Sequence, residues 1–168
     1  MIYQILGWPR SRTAWLANFL SYGEHSYCFH EGIARVDQKR LRTVSEYYAL
    51  LRLYSKKYKY VGDANTVALA KQKYIIPGAR IVVIERDIDE VLKSLERKGL
   101  WADIPDLIEY PYNDYITIPF DKINQNLEKI WTFCLPTIPY PKERAVTLVR
   151  LNVQVNKIEE YLGYNLGV

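Results

Sequence analysis

Apolar residues are distributed along the chain in two alternating ways: short unbroken runs, and longer stretches in which they recur every three or four positions. The first run, residues 2–6, ends at Gly7-Trp8-Pro9, and Thr13-Ala14-Trp15-Leu16-Ala17-Asn18-Phe19-Leu20 follows with helical spacing. That order predicts strand, tight loop, helix. A second strand is expected over 26–30 and a helical region from 37 to about 57, with Leu41, Val44, Tyr48 and Leu51 as its apolar positions. A third strand over 59–62 leads through Asp63-Ala64-Asn65 to a helix over 66–74. The clearest pair is Arg80-Ile81-Val82-Val83-Ile84-Glu85 with a helix over 87–98. Residues 115–118 read as a fifth strand, 121–133 as a helix capped by Asp121, and 141–162 as a C-terminal helical region with a break.

A β-branched run without alternation, as in 80–85, implies a strand covered on both faces, the mark of a parallel sheet. Strands alternating with helices then join by right-handed crossovers. The expected fold class is α/β, a three-layer α/β/α arrangement around a central, mostly parallel five-stranded sheet, in a single domain spanning 1–168. Ligands of such sheets sit at the carboxyl ends of the strands.

Composition narrows the class without changing it. The chain has 168 residues, 49% hydrophobic and 25% charged, which excludes a disordered or collagen-like protein and fits one soluble globular domain. Cys28 and Cys134 do not make a disulfide framework, and no CxxC or CxxH spacing exists for zinc. A reducing cytosol fits best, so a cytoplasmic location is expected. The start MIYQILGWPRSR is too short in its apolar run for a signal peptide, and no run is long enough to span a membrane. The net charge of +4 is unevenly spread: residues 1–61 carry +6 and the remainder −2. A basic first third favours an anionic ligand, although a solvated basic face gives the same skew. Nothing resembles a nucleic-acid-binding module, so nucleic acid is not favoured as a partner.

The loop after the first strand, Gly7-Trp8-Pro9-Arg10-Ser11-Arg12-Thr13-Ala14-Trp15-Leu16, lies at the carboxyl edge and runs into a helix. Unpaired N–H groups and the dipole at that helix start favour an anion, so the loop outlines a phosphate cradle. Set against the ATP-type pattern GxxxxGK[ST] from Gly7, the second glycine is Arg12, the lysine is Thr13 and the magnesium-holding hydroxyl is Ala14. Ala14 has no oxygen for Mg²⁺, so magnesium-dependent phosphoryl transfer would lose its anchor. A capped, solvated turn at a helix start is the plainer reading of the same residues.

These ten residues, GWPRSRTAWL, resemble the loop of the sulfotransferases that use 3′-phosphoadenosine 5′-phosphosulfate, usually GxPRSGTTWL. The resemblance implies a P-loop NTPase-like fold and a loop spanning Arg10, Ser11, Arg12, Thr13, Ala14 and Trp15 that binds the 5′-phosphosulfate with no metal. It implies that Arg10 neutralises charge on the leaving phosphate, that Ser11 and Thr13 hydrogen-bond phosphate and sulfate oxygens, and that Trp15 stacks on adenine. The departures are Arg12 for Gly and Ala14 for Thr. Arg12 needs a backbone conformation that a non-glycine residue tolerates, and offers a second guanidinium to the sulfuryl group.

The family holds the donor's 3′-phosphate with an Arg ending a later strand and a Ser eight residues on, in a pattern close to PgaKiIvivRdPrdvlaS. Residues 77–94, PGARIVVIERDIDEVLKS, keep that spacing and place Arg86 and Ser94 in those roles, with Ile88 replacing the family's proline. A helix-start ion pair at Arg86-Asp87 with a solvated Ser94 is the alternative. Together with weaker matches, the likeness spans most of residues 1–155 and is to the compact sulfotransferases of bacteria and phages. The family's C-terminal donor clamp, RKGxxGxWK, is missing, which leaves basic residues such as Arg97 or Arg150 to assist.

The implied reaction moves a sulfuryl group in line to an acceptor oxygen or nitrogen, with Arg10 as the main cation and Arg12 assisting. Family members use a His or Glu near the loop as general base, and here the choice falls on Glu31 or its neighbour His30, with Glu31 preferred. An acid that merely pairs with a nearby Arg is the competing reading. Asp63 and Asn65 orient the acceptor, close a polar network, or cap the helix expected over 66–74. The expected partner is a small-molecule or carbohydrate acceptor, with no membrane, and the irregular stretch 101–115 is a candidate covering loop. Two other readings stay open: a P-loop kinase with a degenerate loop, and a non-catalytic nucleotide-binding relative.

Overall fold

A computed structural model describes residues 1–33, 43–66, 68, 72–97, 99 and 114–151. Five strands, β1 (Ile2–Gly7), β2 (Ser26–His30), β3 (Tyr60–Asn65), β4 (Arg80–Glu85) and β5 (Tyr115–Pro119), form one sheet in the order β2-β3-β1-β4-β5. Every pairing is parallel. The α-helices are α1 (Thr13–Leu20), α2 (Val44–Tyr54), α3 (Ile88–Glu96), α4 (Leu127–Cys134) and α5 (Lys142–Leu151). Short 3-10 helices occupy Gln72–Tyr74 and Phe120–Asn126. The fold is thus α/β with helices on both faces of an all-parallel sheet.

The apolar periodicity sorts these helices into two layers. On one face Trp15, Leu16, Phe19 and Leu20 of α1 pack with Leu127, Ile130 and Trp131 of α4 and Ala145 and Leu148 of α5 over Tyr3, Ile5, Val82 and Ile84 of the sheet. On the other face Tyr47 and Leu51 of α2 and Val91 and Leu95 of α3 cover Leu6, Phe29, Val61 and Ile81. Adjacent residues Ile5 and Leu6 serve opposite cores, as the two-residue period of a strand demands. Gln4, the one polar residue in the β1 run, is fully buried and bridges this edge of the core. Its amide donates to the Tyr74 carbonyl at 3.0 Å and accepts from the Ile76 N–H at 2.7 Å.

Strand order fixes where a ligand crevice opens. From β1 the chain crosses leftward to β2 with α1 on one face, and from β4 it crosses rightward to β5 with α3 on the other. The segments leaving neighbouring strands β1 and β4 therefore diverge, and open sheets of this kind carry their crevice at such a switch point.

Several boundaries differ from the sequence expectation. β3 runs through Asn65 instead of ending at Gly62, because Asp63 and Asn65 are buried with hydrogen-bond partners and stay in the ladder. The helix expected over 121–133 is a 3-10 turn followed by α4, and Asp121 lies inside that turn rather than capping it. Residues 34–42, most of 66–71, 100–113 and 152–168 include expected helical and loop segments that lie outside the described residues. Among the described residues, no helix is long and apolar enough to cross a membrane.

Candidate functional site

The loop from Gly7 into α1 lines the crevice between β1 and β4. Ser11 N–H closes a turn onto the Trp8 carbonyl at 3.1 Å, and Leu16 N–H makes the first helical bond to Arg12 at 2.9 Å. Arg10 (φ 70°) and Arg12 (φ 61°) both sit in the left-handed region, which costs a non-glycine residue about 1–2 kcal/mol. Arg12 is the N-cap of α1 and provides no side-chain cap, so the dipole end of α1 faces the loop without one. Gly7 permits the fold-back: a Cβ there would meet the Cβ atoms of Ser11 at 3.0 Å and Ile84 at 3.3 Å. Ser11 is fully buried and its hydroxyl has no partner among the described residues, and Thr13 is also buried. An orphaned hydroxyl beside an uncapped helix start fits a polar ligand held by this loop. Ala14 offers no oxygen here.

Arg86 follows β4 directly, and its Nη1 donates to the Arg10 carbonyl. The guanidinium lies 4.0 Å above the Phe120 ring, its Nε is 3.7 Å from the Glu90 carboxylate, and only 10% of the side chain is exposed. The two arginines singled out by sequence, 76 positions apart, are therefore brought together across the crevice, with one holding the backbone of the other. Ser94 is placed differently. Asp87 caps α3 by accepting from Glu90 N–H at 3.1 Å, so the helix is regular from its first turn. Ser94 then lies roughly 9 Å along the axis from Ile88 and one turn beyond Glu90, the residue that pairs with Arg86.

Arg12 is turned away from the centre of the loop. Its Nη1 donates to Asn124 Oδ1 at 2.7 Å, and its guanidinium covers the Trp15 ring at 4.4 Å. Burial pushes its pKa below the usual arginine value. Trp15 is a core residue, not an adenine platform: the ring is stacked on Phe19 at 5.4 Å, its N–H reaches the Leu148 carbonyl at 3.4 Å, and it is 6% exposed. The helical period that puts Trp15 on one stripe with Leu16, Phe19 and Leu20 points it into the core.

The acids cluster at the ends of β2 and β3. Glu31, just past β2, takes φ 54° and donates its N–H to Ala64 at 2.8 Å. Its Oε2 accepts from Thr66 N–H at 3.4 Å and its Oε1 lies 3.7 Å from His30 Nε2. Burial, with the nearby Asp63 charge adding and Thr66 opposing, raises its carboxyl to about 7. Burial lowers the His30 pKa, which keeps the ring neutral at physiological pH. Asp63 is fully buried and is raised to about 6 by burial against four hydrogen bonds, from the Tyr47 hydroxyl, Asn65, Gly32 N–H and Ile33 N–H. Asn65 Nδ2 donates to Asp63 at 2.8 Å while its Oδ1 accepts from Ala68 N–H at 2.9 Å, so it both closes the network and caps the following segment. β2 and β1 are two strand spacings apart, which puts Glu31 about 10 Å laterally from the Arg10 loop.

Sequence reasoning passed over Glu90, although the i, i+4 spacing from Arg86 is a legible signal. Phe120 and Asn124, which hold Arg86 and Arg12, gave no local signal because their partners are 34 and 112 positions away. No family model matches the chain, and neither any curated protein nor any solved structure does.

Proposed function

We propose that the chain is a sulfotransferase that takes a sulfuryl group from 3′-phosphoadenosine 5′-phosphosulfate and delivers it to a hydroxyl or amine acceptor. The observation that carries the reading is the meeting of Arg10 and Arg86 on adjoining strand ends at the switch crevice, beside the uncapped start of α1. The loop residues Arg10, Ser11 and Thr13 would hold the 5′-phosphosulfate, which supplies the transferable group. Backbone N–H groups and the α1 dipole add to that grip, and the same features support a P-loop NTPase-like role for the loop.

In this reading Arg10 meets the negative charge that grows on the bridging oxygen as the sulfur–oxygen bond to phosphate breaks. Arg86 sets the loop through the Arg10 carbonyl and lends its charge to the same edge. Glu31 takes the acceptor's proton as the new oxygen–sulfur or nitrogen–sulfur bond forms. A carboxyl raised to about 7 is well poised for a base working near neutrality. His30, neutral and adjacent, hydrogen-bonds or relays. The acceptor would lie over the end of β3, which separates Glu31 from the loop by about 10 Å. Arg12, tied to Asn124 and Trp15, serves the loop's shape rather than the reacting sulfur.

A second reading, a non-catalytic nucleotide-binding protein, is favoured by the two departures in the loop: Arg12 is tied to Asn124 and Trp15 instead of being free for the sulfuryl group, and Ala14 has no side-chain hydroxyl. Isothermal titration of the full chain with adenosine 3′,5′-bisphosphate, ATP with Mg²⁺, and sulfate, followed by radiolabelled sulfate transfer to a panel of sugars and phenols, separates the readings. The sulfotransferase reading requires tight bisphosphate binding lost in Arg10→Ala, together with label on at least one acceptor. Bisphosphate binding without transfer selects the second reading, and preference for ATP with Mg²⁺ rejects the sulfotransferase in favour of a P-loop kinase.

A further inference from the structure

Trp15 has no ring face to give a nucleotide base, since Phe19 and Arg12 occupy it. A second place next to the same loop does. The 3-10 turn after β5 carries Phe120 on Arg86 and Asn124 on Arg12, so it runs along the crevice from one arginine to the other. Asn124 also begins the wall of an open cavity of about 610 Å³, which continues through Gln125 and Leu127 to Tyr140 and Val146 between α4 and α5. That volume falls within the range of small-molecule sites.

The lining has the chemistry of a base seat. Gln125 lines it with a side-chain amide, a group that pairs with adenine by donating and accepting at once, while the Asn124 amide oxygen beside it is held by Arg12. Tyr140 supplies an aromatic ring held edge-on by Phe19 at 6.5 Å and Trp131 at 6.4 Å, and Leu127 and Val146 supply apolar contact. Glu128 and Lys142 also line the cavity with opposite charges, so it has no net charge to attract a phosphate. An uncharged, flat heterocycle is what such a surface accepts.

We propose that this groove between the 124–128 segment and α5 seats the purine base of the nucleotide whose phosphate lies at the Arg10 loop, with Gln125 and Tyr140 as the base-reading residues. The inference rests on the nucleotide-binding part of the proposed function and adds the site that selects adenine. The test is calorimetric titration of the full chain with two probes: adenosine 3′,5′-bisphosphate, which has a base, and inorganic pyrophosphate, which has none. Val146→Trp fills the groove from an exposed position, and Gln125→Ala removes an exposed amide, so neither threatens the core.

The expected result is bisphosphate affinity weakened about tenfold or more in both variants, with pyrophosphate affinity unchanged. Bisphosphate binding by Val146→Trp and Gln125→Ala at the original affinity, while Arg10→Ala abolishes it, overturns the base seat and leaves the loop reading standing. Failure of the unaltered chain to bind either probe overturns both.

Discussion

Replacing Arg86 by alanine is the most informative single perturbation, because its guanidinium joins three elements at one point. The variant loses a charged hydrogen bond to the Arg10 carbonyl, worth about 1.5–3 kcal/mol, and a cation–π contact with Phe120, worth about 1–2 kcal/mol. Release of the left-handed strain at Arg10 gives back about 1–2 kcal/mol as the loop relaxes. The net expectation is a loss of about 1.5–3 kcal/mol, measured by urea unfolding, and a melting temperature lowered by roughly 3–12 °C for a domain of this size. Hydrogen exchange adds a local readout: the Ser11 amide, bonded to Trp8 in the native turn, should exchange faster in the variant. Arg86→Lys restores the charge without the planar fork and should recover less than half of the loss. Stability of Arg86→Ala within about 0.5 kcal/mol of the original would refute the reasoning, since that is the response of an ordinary surface residue.

Three further outcomes follow from the same geometry. The Glu31 carboxyl is raised from 4.5 to about 7, so folding binds its proton across that interval and the ionised form destabilises the native state above it. Glu31→Gln should therefore match the original chain at pH 4, gain on the order of 1–3 kcal/mol relative to it by pH 8, and abolish a transfer rate that otherwise rises through about pH 7. Arg12→Ala keeps the left-handed backbone but loses Asn124 and Trp15, and should cost about 1–2 kcal/mol in chemical unfolding. Arg12→Gly loses the same contacts but sheds the strain, and should stay within about 1 kcal/mol of the original. Glu90→Gln removes a carboxylate 3.7 Å from Arg86, and should tighten bisphosphate binding by roughly fivefold at low salt, a gain that fades as salt is added.

Where local pattern determines structure, the sequence reading and the fold agree. The unbroken apolar run of β4 and the boundaries of α1 and β2 coincide with expectation, because continuous burial and helical period leave few alternatives. The end of β3 was hidden. Asp63 and Asn65 look like the start of a loop until Tyr47, Gly32 and Ala68 satisfy them, and the Tyr47 and Gly32 partners come from distant parts of the chain. At the candidate site, the positions of Arg10 and Arg86 were legible from motif spacing, while their direct contact was not. Trp15 shows the opposite error: its place in the motif suggested a ligand, but its place in the apolar period of α1 made it core. The 3-10 turn at Phe120–Asn126 has no strong pattern, yet it carries the partners of both Arg86 and Arg12.

The central claim, that one crevice between β1 and β4 grips a doubly phosphorylated adenosine, is tested most directly by a crystal structure of the chain grown with adenosine 3′,5′-bisphosphate. The account predicts the 5′-phosphate against the loop at Arg10, Ser11 and Thr13, with Arg86 at the same edge of the sheet. Density for the nucleotide anywhere else on the molecule, with that loop unchanged and uncontacted, would contradict it.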